Sequence, residues 1–117
     1  NIMTIKILKS PISKKELETI AKNQFGDLVK AVVDIELGII AIGGELHADE
    51  EAALIEHESK QKNLWGVNLL LGQSEDNWIE FDSMINLRPS EGNRSRSVEN
   101  EEIRNKIRKI ISGLILK

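Results

Sequence analysis

Apolar residues recur along this chain at two periods, two and three-to-four, and the changes of period mark out its elements. Met3, Ile5 and Ile7 alternate with Thr4 and Lys6, which predicts a short strand over Met3 to Leu8. Ser13 and Glu16 then form a capping box, with Ile12 and Leu17 in staple positions. Leu17, Ile20 and Ala21 give the following helix one apolar stripe, and Gly26 marks its end. From Leu28 to Glu36, Val29, Ala31, Val33 and Ile35 share one strand face, while Lys30, Val32, Asp34 and Glu36 share the other. Leu37-Gly38 predicts a tight hairpin turn, and Ile39 to Ile42 a strand covered on both faces.

Gly43-Gly44 breaks that run. A second helix is predicted from near Asp49, as its cap, to about Ser59, with Glu50 and Glu51 suited to its first turn. Leu64 to Leu71 reads as another strand and Gln73 to Asn77 as a polar loop. The longest alternation runs from Trp78 to Arg88, with Ile79, Phe81, Ile85 and Leu87 opposite Trp78, Glu80, Asp82, Asn86 and Arg88. It exceeds an ordinary strand, which predicts a bulge or bend near Ser83. A third helix begins near Asn100 and carries Ile103, Ile107, Ile110, Ile111 and Leu114 as its stripe. The order β-α-β-β-α-β-β-α predicts an α+β fold: a mostly antiparallel sheet with three helices on one face, and a ferredoxin-like core extended by a strand and a C-terminal helix.

Composition narrows the function classes. The 117 residues suit a single globular domain over 1–117. No apolar run is long enough to cross a membrane, and no charged-then-apolar leader opens the sequence, so the expectation is a cytoplasmic protein. Cysteine is absent, which excludes disulfides, thiolate metal sites and cysteine nucleophiles. A net charge of −3 argues against long nucleic acid as a partner, and 3% aromatic residues leave few platforms for stacking bases.

Three long segments carry a resemblance: GIIAIGGELHADEEA (Gly38 to Ala52), SKQKNLWGVNLL (Ser59 to Leu70) and WIEFDSMINLRPSEGNRSRSVE (Trp78 to Glu99). They resemble a small prokaryotic family classed as a domain of unknown function. The resemblance spans nearly the whole chain. It implies a soluble cellular protein and assigns no reaction, ligand or site residue.

The candidate chemistry falls in three places. Glu45, His47 and Asp49 stand two apart, so an extended backbone would turn two carboxylates and an imidazole to one side, as a divalent metal requires. A loop leading into a capped helix accounts for the same residues without metal. Glu80 and Asp82 lie on the polar face of the long alternation, with Asn86 and Arg88 further along it. Paired carboxylates suit acid–base work and an arginine suits an anionic substrate; cross-strand ion pairs are the plainer reading. The loop from Arg88 to Ser97 holds Asn93, Arg94, Ser95 and Arg96 and runs toward a helix start. Forked arginine donors and free helix N–H groups together favour a small anion or nucleotide. No G-x-S-x-G elbow surrounds Ser83, so a serine nucleophile is unsupported.

These features support a small binding or regulatory domain that recognises an anion through its Arg/Ser-rich loop. A metal-assisted enzyme requires the Glu45–Asp49 segment, the Glu80–Asp82 face and Arg94 to converge. A structural homo-oligomer requires Trp65 or Trp78 to lie between subunits.

Overall fold

The computed structural model describes residues 4–116, so Met3, expected at the head of the first strand, lies outside the described residues. The elements are β1 (Lys6–Leu8), β2 (Ile12–Ser13), α1 (Lys14–Lys22), β3 (Leu28–Asp34), β4 (Ile39–Ile42), α2 (His47–Glu56), β5 (Leu64–Leu70), β6 (Ile79–Glu80), α3 (Glu101–Leu114) and β7 (Ile115–Leu116). Ser13 caps α1 by accepting from the Glu16 N–H at 3.1 Å, as its spacing predicts. Asn100 caps α3, its Oδ1 accepting from the N–H groups of Glu102 and Ile103. The β3–β4 connection is longer than a two-residue turn. It spans residues 35–38, because the buried Asp34 carboxylate gathers the N–H groups of Glu36 and Leu37, both at 2.9 Å.

Five strands form one antiparallel sheet in the order β1-β4-β3-β5-β6. The α+β class and the mostly antiparallel sheet are as expected. The ferredoxin-like order is not: it would place β5 beside β1. β5 instead pairs with β3 along its whole length, from Leu28↔Leu70 to Asp34↔Leu64. β1 has three residues and could cover less than half of the seven-residue β5, whereas β3 matches it residue for residue.

This order also corrects the expectation that the helices share one face. β1 and β3 run parallel, joined through α1; β4 and β5 run parallel, joined through α2. Both crossovers step the same way across the sheet, but their strands point in opposite senses. Right-handed connections must therefore lie on opposite faces. The packing agrees. Leu17 and Ala21 of α1 and Ile107 and Ile111 of α3 pack with Val29, Ala31 and Val33 on one face. Leu54 of α2 packs with Val32, Ala41 and Leu64 on the other. A two-residue parallel ladder, Ile12↔Ile115 and Ser13↔Leu116, ties the chain beyond α3 to the start of α1. No helix among the described residues is long and apolar enough to cross a membrane.

The long alternation after Trp78 is not one strand. β6 holds two residues, the chain bends at Ser83, and a 3-10 turn follows over Met84–Asn86. The Ser83 hydroxyl accepts from the Ile85 N–H at 3.3 Å, which starts the turn at the expected bend.

Ile107 is fully buried, while Ile103 is only half-buried. Ile107→Ala should cost about 2–5 kcal/mol and Ile103→Ala clearly less. Urea midpoints of the two variants test this ranking.

Candidate functional site

The outer edge of β5 sets the geometry of the polar residues. Its inner edge is bonded to β3, but β6 covers only Asn68 and Leu69. The Gly66 N–H and C=O would stand bare and buried, which costs about 1–3 kcal/mol per group. The Asn86 side chain fills this gap. Its Oδ1 accepts from the Gly66 N–H at 2.8 Å, and its Nδ2 donates to the Gly66 carbonyl at 2.9 Å and the Arg96 carbonyl at 3.0 Å. One amide thus stands in for a missing strand residue. Gly66 is required beneath it, since a Cβ there would lie 2.6 Å from the Ser83 side chain.

Arg88 continues this edge. Its guanidinium donates to the carbonyls of Gln61, Lys62, Leu64 and Ile85, and lies 4.1 Å from the centre of the Trp65 ring. Asn93 gathers the loop: its Nδ2 donates to the carbonyls of Asn86, Ser95 and Ser97, and its Oδ1 accepts from the Glu99 N–H. Arg88 and Asn93, expected on a ligand surface, are therefore buried in the frame of the loop. The Ser95 hydroxyl accepts from the Ser97 N–H. Arg94 is exposed, and its backbone N–H donates to Glu99. Two of the expected free N–H groups at the start of α3, those of Glu102 and Ile103, are taken by Asn100.

The extended backbone expected across Glu45, His47 and Asp49 is not what forms. His47 and Asp49 lie within the first turn of α2, where residues two apart point to different sides. Asp49 does not cap the helix; Leu46 holds that position, without a side-chain hydrogen bond. Glu50 reaches back instead, its Oε2 accepting from the Gly44 N–H at 2.9 Å. Gly44 permits this approach, because a Cβ there would meet the Glu50 Cγ at 2.7 Å. Among the described residues, no three His, Asp or Glu side chains cluster as metal ligands.

One residue from each of the three candidate segments nevertheless comes to the same place. The His47 ring Nε2 lies 2.8 Å from the Val67 carbonyl, so it carries the proton and donates. Asp82 and Arg96 form an ion pair at 2.8 Å. Both act electrostatically on His47, as does Lys30. Burial is the main reason that the imidazole is held below its usual pKa, with Lys30 and Arg96 adding to the effect and the Val67 carbonyl and Asp82 opposing it.

Lys30, Asn68 and Glu80 stand in one row across β3, β5 and β6, on the face that α2 covers. The Asn68 Nδ2 donates to Glu80 Oε1 at 2.9 Å and to the Asp82 carbonyl at 3.1 Å. Its Oδ1 is buried with no hydrogen-bond partner, as is Glu50 Oε1. Burial pushes the Glu50 carboxyl well above the usual carboxylate range, against the opposing pull of the Gly44 N–H and Lys30. Lys30, Asn68 and Glu50 were absent from the sequence-based set. The signal lay in a polar residue interrupting an apolar strand, Asn68 above all.

Residues 6–114 match the sequence profile of a family described as a protein of unknown function, DUF5674. The chain belongs to this family. That agrees with the resemblance carried by the three segments. No curated protein and no solved structure matches the chain. Membership of DUF5674 brings no ligand or reaction with it, so the geometry must carry the functional reading. Trp65 is buried inside the chain beneath Arg88.

Asn86→Ala strips the partners from Gly66 and should cost about 2–4 kcal/mol. Asn86→Asp keeps the shape but turns a carboxylate oxygen toward two carbonyls, so it too should lower the thermal midpoint. A near-wild-type Asp variant would show that packing, and not hydrogen bonding, is what Asn86 supplies.

Glu50 makes stability depend on pH. Its folded pKa lies above the ordinary 4.5, so the folded state holds the proton more tightly than the unfolded chain. Stability is then full below about pH 4.5 and falls as pH rises toward the folded value. Glu50→Gln removes this loss. The variant's urea midpoint should gain on wild type as pH increases above 4.5.

Proposed function

We propose that this domain binds a small anion that also carries a hydrogen-bond donor, on the sheet face around Lys30. A phosphate or phosphate monoester is the simplest ligand of this kind. The observation behind the reading is a cation placed beside an orphaned acceptor. Among the described residues the Lys30 ammonium has no carboxylate in ion-pair contact, and it lies 5.6 Å from the centre of the Phe25 ring. Burial raises the Glu50 pKa, so this carboxyl is a poorer counter-ion for Lys30 than an exposed one would be. Asn68 Oδ1 beside Lys30 needs a donor. Arg96 gives only its Nε to Asp82, and an exposed pair of this sort is worth at most about 1 kcal/mol. An incoming anion can therefore compete for the guanidinium. Phosphate oxygens suit Lys30 and Arg96, and a P–OH suits Asn68 Oδ1.

This reading keeps the small-anion binding expected from the sequence and moves it from the Arg94 loop to the sheet. Amide chemical-shift titration with inorganic phosphate tests it. Shifts should gather at residues 66–68 and 80–82, vanish in Lys30→Ala and persist in Arg94→Ala. Sulfate has the same shape without the proton and should bind more weakly. A response confined to residues 92–98 and lost in Arg94→Ala would put the site in the loop.

A further inference from the structure

The segment 78–82 has a second face. Its polar residues Glu80 and Asp82 belong to the row described above, while Trp78, Ile79 and Phe81 line a groove of about 710 Å³ packed against α3. That volume falls within the range of small-molecule sites. Two of the chain's four aromatic residues, Trp78 and Phe81, are here, and Ile111 and Ile115 complete an apolar floor.

The rim carries both signs of charge, from different elements. Lys14 at the start of α1 and Arg108 on α3 supply cations. The Lys14 ammonium lies 6.0 Å from the centre of the Trp78 ring, and the Arg108 guanidinium 5.2 Å from that of Phe81, so both are held beside the floor. Arg108 gives its Nη1 to Glu101 and Asn105, which leaves its Nε and Nη2 donors. Glu75 and Asp76, in the loop before Trp78, supply the acids.

An apolar floor beneath a rim of both charges matches a molecule with an ammonium, a carboxylate and an apolar group on one small frame. We propose that the groove binds a free amino acid with an apolar side chain. Its carboxylate meets Lys14 and Arg108, its ammonium meets the acidic loop, and its side chain lies on Trp78 and Phe81. This site is separate from the Lys30 face and does not depend on the anion reading.

The test is a titration with phenylalanine followed by amide shifts and the Trp78 indole N–H. Saturable shifts should appear at residues 75–81. Phenylalaninamide and N-acetylphenylalanine, each lacking one charge, should bind about tenfold more weakly. Lys14→Met should erase the preference for the free carboxylate, and Asp76→Asn the preference for the free ammonium. Both are surface changes that leave the floor intact. Equal binding of N-acetylphenylalaninamide would overturn recognition of the charges. An absence of saturable shifts at millimolar phenylalanine would overturn the site.

Discussion

Seven consecutive rungs join β3 to β5, and the rest of the architecture answers to that pairing. Both strands are apolar on both faces over most of their length, so each face of the sheet needs cover. With β5 on the far side of β3, right-handed crossovers deliver α1 to one face and α2 to the other. The coverage is unequal. α1 and α3 together protect one face, whereas α2 alone protects the second. Ten helical residues extend about 15 Å, and seven strand residues about 23 Å. The second face is thus the less protected one, and it carries the polar row of Lys30, Asn68 and Glu80.

The outer edge of β5 poses a separate problem. A sheet normally ends in a strand whose outer groups face water. Here β6 is too short to protect its neighbour, and the Gly66 and Leu64 groups are buried. Side chains replace the absent strand: the Asn86 amide meets Gly66, and the Arg88 guanidinium meets the Leu64 carbonyl. Asn93 then closes the loop that holds both in position, and Arg104 clamps its far end through the Val98 carbonyl and the Ser97 hydroxyl. Much of the Arg/Ser-rich composition is spent on this scaffolding. That is why the loop, suggestive of anion binding as a sequence, keeps two of its three arginines, Arg94 and Arg96, at its surface.

Local signals in the sequence were reliable where one element decides its own ends. The Ser13 cap, the Ile39–Ile42 strand and the α3 stripe all have their causes within a few residues. The strand order was not legible, because pairing β5 with β3 and not with β1 depends on relative lengths and on faces far apart in sequence. The alternation after Trp78 misled for a related reason. Period two was real from Ile79 to Asp82, but Trp78 lines the same groove as Ile79, and Asn86 and Arg88 continue the pattern while serving as plugs for β5 and not as strand residues. Of the candidate site, His47, Asp82 and Arg96 were visible one by one. Their meeting depends on how α2 and the loop before α3 pack on the sheet, and the place of Lys30 on its register with Asn68.

The segment from Trp78 to Asp82 connects the two faces. Only two rungs, Asn68↔Glu80 and Leu69↔Ile79, fix it to the sheet as a strand. A single further backbone bond, from the Leu70 N–H to the Trp78 carbonyl at 2.7 Å, holds its start. Its position is set chiefly by side chains: Phe81 beneath the guanidinium groups of Arg104 and Arg108, Glu80 on the Asn68 amide, Asp82 on Arg96. Several of those anchors are exposed and individually weak. An element with few backbone bonds and many replaceable side-chain contacts belongs to the least stable part of a domain. Asn68 is the exception, being buried and bonded to this segment through both Glu80 and the Asp82 carbonyl. Its amide nitrogen holds the segment while its oxygen stays unmatched. An apolar residue there would bury more favourably but would release the segment, so the unmatched oxygen is the cost of tying β6 to β5 from beneath.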